Sequence, residues 1–485
     1  MKTRFIFAAL IVALSLTSVH AQTEPLGGQP APGAKPTVPD LETQVAYQRA
    51  FEAVVWAMPA AAIYRFRVGA LQAAGIGDND IMALSKPATA RFEALTANNV
   101  TPYIMGFTDL RNGPIVMEVP AKTDKTSLYG QIVDAWQVTI ADVGPAGEDK
   151  GAGAKYLLIP PGYKNQIPAG YLPIRSESYR LAFVFRSVPQ PGVSVEDANA
   201  YTRRLKLYPL AEAASPKPTR FVDAWSERIP TLPLYDIGAF QDIYDIVSVE
   251  PVRPRDKVMM GMLASIGIEP GKPFKPEGKL KAAMERAVVD AYFYMQQRRA
   301  RLARTQAYWP DRHWQNFLNP DNADDKGGFE YESSNAVEID RRADTFFPGT
   351  FYPRVMPKKA ATVYMAAYAD SEGHPFESGK TYRLRMPKDV PVDQFWALIV
   401  YDMATYAFIY DPLNRVGLSS RERSSMKVND DGSVDLYFGP KAPDGLESNW
   451  VSTQGKVPAP VMRFYGAQDA FWNKTFKLPD VDLVK

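Results

Sequence analysis

The sequence predicts an α+β protein, mainly β, built as two antiparallel β-sandwich or jelly-roll-like modules with a helical connecting region. Three observations lead there. The chain has 485 residues, more than one compact core usually holds, since domains run to roughly 100–200 residues. Short apolar runs bounded by glycine, proline, Asn-Gly or Asp-Gly fill residues 100–190 and return over 350–470, which is the signature of strands and turns. Between the two blocks apolar residues recur at helical spacing. Hydrophobic content is 46% and charged content 23%, as expected of a chain that folds.

Taken in order, Met1 to Ala21 has the layout of a secretory signal peptide. Lys2 and Arg4 are followed by apolar Phe5 to Leu16, then by Val19-His20-Ala21 before Gln22. The apolar stretch is shorter than the about 20 residues a membrane-spanning helix needs, and no cysteine is present to carry a lipid. The expectation is export to the periplasm or medium. Residues 22–40 hold Pro25, Gly27, Gly28, Pro30, Pro32, Gly33, Pro36 and Pro39 and read as an extended linker. No later segment is apolar enough to cross a bilayer.

Residues 41–190 form the expected first β-rich module, opened by helices. Glu42 to Met58 has helical spacing, with Pro59 ending or bending it. A second helix is expected over Ala60 to Ala74, before a turn at Gly75 and Gly77. Tyr103 to Phe107 and Pro114 to Pro120 read as strands joined by a tight turn at Asn112-Gly113. Trp136 to Ile140, Lys155 to Pro160 and Tyr179 to Arg186 continue the series. Residues 191–349 are expected to be largely helical, with helices over Val195 to Leu207 and Lys279 to Arg304. In the latter, Leu280, Met284, Ala287, Val288, Ala291, Tyr292 and Met295 make one apolar stripe. Its basic end, Arg298-Arg299-Ala300-Arg301, reads as charge placed against the helix dipole. Residues 350–485 read as the second sandwich, with strands over Thr362 to Tyr368, Thr381 to Arg385, Phe395 to Tyr401, Ala407 to Tyr410, Ser433 to Phe438 and Met462 to Tyr465.

Certain strings are more specific. In the first half they are Thr96-Ala97-Asn98-Asn99-Val100-Thr101-Pro102-Tyr103, then Asp109-Leu110, Gly113-Pro114-Ile115-Val116 and Lys155 to Tyr163. In the second half they are Phe395-Trp396, Tyr401-Asp402, Asn429 to Asp435, Asn449-Trp450 and Arg463-Phe464-Tyr465-Gly466. In order and spacing the chain resembles the paired DUF1254 / DUF1214 family of exported proteins over about residues 45–484. The resemblance implies two β-rich modules with helices between and around them, and no particular chemistry. One departure stands out. The opening motif usually carries an acid where this chain has Val100, so any role of that acid is vacant here.

Composition narrows the chemistry. The chain has 56 basic and 54 acidic residues. Removing Lys2 and Arg4 with the leader leaves 54 of each (56 − 2 = 54), so nothing drives it towards nucleic acid or an anionic membrane. The lack of cysteine excludes disulfides and thiolate nucleophiles. Of three histidines, His20 lies in the leader, leaving His313 and His374, each read as a surface or turn residue. The chain has no P-loop, no G-x-S-x-G elbow and no H-E-x-x-H string.

Asp430-Asp431-Gly432 and Asp370-Ser371-Glu372-Gly373 suit a cation loop less well than a turn. The acidic stretch Asp321 to Gly328 lacks the pattern of an EF-hand. Trp136, Trp396 and Trp450 read as core residues. Arg175, Arg186, Arg415, Arg421 and Arg463 lie in or beside the motif strings, and guanidinium forks suit carboxylate or phosphate. With Asn98, Thr101, Tyr103, Tyr163, Asn414 and Asn449 they are the candidates for an inter-module pocket. The leading expectation is a hydrolase or related enzyme for a small polar or anionic substrate such as a phosphorylated polyol. A divalent cation, calcium or magnesium, would assist by offsetting charge and activating water, and Asp109, Asp402 and Asp431 are the candidate catalytic carboxylates. The alternative is a non-catalytic ligand-binding or envelope assembly protein, compatible with a homo-oligomer. The scarcity of histidine and cysteine favours that alternative.

Overall fold

The computed structural model describes residues 28, 30, 33–190, 192–317, 328–357, 359–360 and 362–484. The expected signal peptide lies outside them, as does all but Gly328 of the acidic stretch.

The chain opens with helix α1 (Leu41–Ala74). The Asp40 side chain caps its start by accepting the Thr43 N–H at 3.1 Å. Gly75 closes it in the left-handed region at φ 58°, where glycine carries no Cβ penalty. The two helices expected on either side of Pro59 are one. The span from Ala53 to Ala60 is buried throughout, and packing on every side outweighs the roughly 3 kcal/mol an interior proline costs. The Gln137 side-chain amide donates to the Pro59 carbonyl at 2.8 Å.

The first module follows: β1 (Ile81–Ala83), β2 (Phe92–Glu93), β3 (Tyr103–Asp109), β4 (Ile115–Val119), β5 (Thr126–Asp134), β6 (Thr139–Val143), β7 (Ala154–Ile159), β8 (Leu172–Arg175), β9 (Arg180–Pro189), α2 (Val195–Thr202), β10 (Lys206–Pro209), β11 (Phe221–Val222) and β12 (Ile229–Pro230). A six-stranded sheet runs β11-β1-β3-β9-β5-β6, and a four-stranded sheet β10-β4-β7-β8. Three expectations need correction. β3 and β4 do not pair as a hairpin; the 110–113 turn carries the chain from one sheet to the other, where β4 pairs with β7 and β10. Trp136 is not in a strand. It sits in the β5–β6 turn, where Gln137 takes φ 57°, and its ring lies 4.6 Å from that of Trp56 in α1. The helix expected over Val195 to Leu207 stops at Thr202, because Leu207 is wanted as a buried strand residue opposite Met117.

Next come α3 (Gly238–Val247), α4 (Lys257–Ala264), α5 (Gly278–Thr305), β13 (Trp314–Asn316) and α6 (Ile339–Phe346). Met284, Val288, Ala291 and Met295 of α5 are buried and share one apolar cluster with Val55, Trp56 and Met58 of α1 and Phe240 and Ile243 of α3. The basic run near the end of α5 is not dipole compensation. Arg298 pairs with Asp344 at 2.6 Å and Asp340 at 3.0 Å, and Arg299 is buried.

The second module holds β14 (Thr362–Ala367), β15 (Tyr382–Met386), β16 (Val392–Asp402), β17 (Gly417–Ser419), β18 (Val434–Gly439), β19 (Trp450–Ser452), β20 (Pro458–Ala467), α7 (Asp469–Trp472) and β21 (Asp482–Leu483). Its sheets run β13-β14-β20-β16-β17 and β19-β18-β15-β21. The chain crosses between them at β14–β15, β15–β16, β17–β18, β19–β20 and β20–β21, wiring of the jelly-roll kind. Ala407 to Tyr410 contributes only an isolated bridge from Phe408 to Tyr401. Most pairing is antiparallel; β1–β11, β2–β12, β7–β8 and β18–β19 are parallel.

Strand alternation assigns the two faces of each large sheet. Val363 and Met365 of β14, with Leu398 and Met462, point into the core of the second sandwich. Their neighbours Ala366, Ile399 and Val461 share a different cluster with Met105, Ala182 and Val184 of the first module and Ile63 and Phe66 of α1. The two large sheets thus face one another across a common apolar seam. Both faces of β3, β9 and β20 are buried, which is why these strands read as continuous apolar runs.

Close approach of α1 to β12 depends on Gly69. A Cβ there would lie 2.2 Å from the Pro230 carbonyl oxygen. Gly69→Ala is therefore expected to destabilise the protein by about 1–3 kcal/mol, read as a lower midpoint of thermal or urea unfolding. An unchanged midpoint would mean that this contact does not hold the helix to the first module.

Candidate functional site

At one end of the seam the two sheets part around a cavity of about 330 Å³. Alternation and register decide what faces it. In the first module Tyr103 of β3 lies opposite Arg186 of β9, and Arg186 opposite Tyr129 of β5. In the second, Tyr364 of β14 lies opposite Arg463 of β20. Tyr103, Tyr129, Arg186 and Tyr364 line the cavity together with Phe66, Phe92, Val184, Phe317, Phe351 and Met356. Its wall is largely apolar and aromatic, and among the described residues carries one guanidinium and no carboxylate or imidazole.

Arg186 is half-buried. Its guanidinium carbon stands 5.3 Å from the centre of the Tyr103 ring, within cation–π range, and its charge acts on the Tyr364 phenol. Burial alone would lower its pKa; the phenols of Tyr103, Tyr364 and Tyr465 more than offset this and raise it. Arg463, behind Tyr364, is completely buried. It donates to the carbonyls of Thr96 at 2.8 Å and Ala97 at 3.1 Å, and to the Tyr401 hydroxyl. Its guanidinium carbon lies 4.6 Å from the centre of the Tyr364 ring. Its Nε and Nη1 have no hydrogen-bond partner among the described residues. Neither arginine pairs with a carboxylate among the described residues.

Tyr364 is therefore a phenol held between two guanidinium charges. Burial pushes its pKa up, but the nearby charges of Arg463 and Arg186 outweigh burial and hold it below its ordinary value. Two wall residues are also strained. Thr96 has φ 42° and Phe351 φ 57°, in a region that β-branched and bulky residues rarely enter. Thr96 is held there by its N–H bond to the Tyr406 carbonyl at 2.7 Å, and Phe351 by its N–H bond to the Gln137 side chain at 3.3 Å. Such outliers persist where the surrounding structure fixes a site.

Of the sequence candidates, Tyr103 and Arg186 line the cavity, and Arg463 lies directly behind it. Asn98 is buried beside them. Its N–H donates to the Tyr103 hydroxyl and its side-chain carbonyl accepts the Val100 N–H, both at 2.8 Å. Its amide nitrogen and the Thr101 hydroxyl have no partner among the described residues. Val100 packs on Phe395, Ala397 and Tyr465. Arg421 stands 3.7 Å over the Phe395 ring, which stacks on Tyr465 at 4.0 Å.

The other candidates lie elsewhere. Arg175 is exposed on the outer sheet, donating to the Tyr163 carbonyl at 3.4 Å. Asn414 sits in an exposed turn at φ 53°. Arg415 donates to the Glu447 and Trp450 carbonyls. Asn449 is fully buried and binds the main chain of Lys427 and Asp435.

The three carboxylates are apart. Asp109 ends β3, six residues beyond Tyr103 and so about 20 Å away along the strand, paired with Arg111 at 2.7 Å. Burial raises its pKa, but the bonds from Arg111 win and lower it. Asp402 ends β16 near Lys456 at 3.3 Å. Asp431 makes a local turn, accepting from the Ser433 N–H and hydroxyl. His313 hydrogen-bonds Asp480, and His374 is exposed beside Asp370 and Glu372. Among the described residues no three His, Asp or Glu side chains gather where a metal ion could be held.

Family models match residues 79–209 to DUF1254 and residues 361–469 to DUF1214, each described as a protein of unknown function. Among solved structures the chain is similar to the VPA0106 protein from Vibrio parahaemolyticus. Identity is 20%, coverage 91% of this chain and 100% of that one, and the TM-score 0.51, a likeness of fold alone. An uncharacterized protein from Burkholderia cenocepacia is 11% identical, with 92% and 96% covered and a TM-score of 0.37. No curated protein matches.

Tyr364 offers a direct test of the geometry. In a near-ultraviolet titration one phenol is expected to ionise ahead of the rest, below about pH 10. Tyr364→Phe should remove that step, and Arg186→Gln should move it to higher pH. A titration in which Tyr364→Phe changes nothing below the main transition would refute the pairing with two arginines.

Proposed function

Because the chain carries a DUF1254 module followed by a DUF1214 module with one cavity between their large sheets, we propose that the pair forms a receptor for a small organic anion. The observation that carries this is the pair of arginines at the cavity, half-buried Arg186 and fully buried Arg463, neither paired with a carboxylate among the described residues. Removing guanidinium charge from water costs several kcal/mol unless an anion offsets it. Phenols and two carbonyls offset part of that cost. A bound carboxylate on Arg186 offsets more.

The ligand class follows from the wall. A single guanidinium fronts the cavity, which suits one acid group. Phe66, Phe92, Val184, Phe317 and Phe351 suit an apolar or aromatic body. The volume, about 330 Å³, is at the small end of the roughly 300–1,000 Å³ typical of ligand sites. The leader-like start of the sequence supports binding outside the cytoplasm. Metal-assisted hydrolysis gains less support, since Asp109, Asp402 and Asp431 each serve a separate local contact.

Calorimetry with benzoate, phenylacetate and hexanoate tests the proposal. At least one is expected to bind once per chain. Arg186→Gln should weaken it about tenfold to a hundredfold, the worth of a charge-assisted hydrogen bond, while Asp109→Asn leaves it unchanged. No binding, or binding indifferent to Arg186, would sink the idea. So would chelator-sensitive phosphate release from inositol hexakisphosphate that is lost in Asp402→Ala or Asp431→Ala, which would restore the hydrolase.

The pH dependence has a definite sign. Raising the pH turns Tyr364 into a phenolate, whose charge neutralises the guanidinium that a ligand acid would use. Affinity is therefore expected to fall as pH rises through the Tyr364 step, and Tyr364→Phe should flatten that fall. An affinity that increases with pH would contradict the arrangement.

A further inference from the structure

A second cavity, of about 240 Å³, adjoins the first. Phe317 and Tyr352 belong to both walls. The residue that marks the second cavity is Arg299 of α5, which is 4% exposed. Its Nη2 donates to the Gln315 side chain and to the Tyr368 hydroxyl, each at 3.0 Å. Its Nε donates to nothing among the described residues. The rings of Phe317 and Tyr368 lie 5.1 and 5.6 Å from its guanidinium carbon. No carboxylate pairs with it among the described residues; the groups that act on its charge are the phenols of Tyr368, Tyr406 and Tyr352.

The other charged groups on this wall are balanced. Asp344 accepts two hydrogen bonds from Arg298, at 2.8 and 2.6 Å. Arg341 pairs with Glu338 at 2.6 Å. Among the described residues the excess charge of the cavity is that of Arg299. Hydrogen-bonding Gln315 and Tyr368 does not require a cation, and a buried guanidinium without a counter-charge is costly. The pattern repeats that of Arg186: a guanidinium on a cavity wall, ringed by phenols, with no carboxylate partner among the described residues.

We propose that this second cavity is a second anion subsite, in which Arg299 receives a carboxylate-class acid group on the far side of Phe317 and Tyr352 from Arg186. The proposal rests on the reading of the first cavity and extends it to two acid groups. They come either from the two ends of one elongated diacid or from two monoacid molecules.

The test is calorimetry on the full mature chain, with straight-chain α,ω-diacids from glutarate to sebacate and monoacids of matched length. Two results support the subsite: a diacid that binds once per chain and at least about tenfold more tightly than its matched monoacid, or a monoacid that binds twice per chain. In either case Arg299→Gln should abolish the advantage or the second equivalent. Gln306→Glu should do the same. Gln306 is exposed at the end of α5 and lines the cavity, so this variant supplies a carboxylate without removing Arg299 and guards against a misfolded Arg299→Gln. If both variants keep wild-type affinity and stoichiometry while Arg186→Gln loses binding, the second subsite is refuted and the first stands. Binding that needs Arg299 but not Arg186 would refute the first and keep the second. No binding of any acid refutes both.

Discussion

The seam between the modules turns on Arg463. It is completely buried, it belongs to the central strand of the second module's large sheet, and it reaches across to the carbonyls of Thr96 and Ala97. A guanidinium can do this because its donors form a rigid fork that satisfies several acceptors at once. No apolar side chain at that position would meet those two carbonyls. The cost is a charge deep in protein, met here by polar oxygens rather than by a carboxylate. Holding the modules together and making the seam electropositive are thus one interaction with two consequences.

The cavity inherits its character from this anchor through register. Tyr364 stands opposite Arg463 across β14 and β20, and Arg186 stands opposite Tyr103 across β3 and β9. The faces that meet are otherwise apolar, so the polar residues collect at one end, where the sheets part. The gripped segment is itself strained at Thr96, and Tyr401, which bonds both Arg463 and the Ala97 carbonyl, braces it from the second module. A loop of the first module is thereby shaped by side chains of the second, which gives a physical reason for the two modules to occur in one chain.

Much of this was legible in the sequence, and the rest was hidden for identifiable reasons. Tyr103, Arg186 and Arg463 stood out because they lie in or beside the motif strings, and polar groups buried between modules need partners. The stripe on α5 was visible by its spacing. Arg299 extends that stripe, lying four residues beyond Met295, and a register argument would have placed it inside; proximity to the helix end suggested an outward dipole role instead. Tyr364 was missed because tyrosine is at home in any strand, and only the pairing of β14 with β20 puts it between two arginines. Asn449 carried a motif signal but spends its side-chain bonds locally, on the main chain of Lys427 and Asp435 and on the Ser448 hydroxyl. Pro59 and the β3–β4 corner misled because tertiary packing overrode a sound local rule.

Val100 closes the electrostatic argument. It packs on Phe395, Ala397 and Tyr465, and Ala397 and Tyr465 belong to the strands that pair around Arg463. An acid at this position would bring a carboxylate to the edge of the electropositive seam from within the chain. A valine brings none. The chain therefore keeps its buried guanidinium groups under-compensated, and a species that binds the folded state and supplies the missing charge stabilises it in proportion to its affinity and concentration. On the proposed reading, the excess charge that makes the cavity costly when empty is what would favour an anion in it.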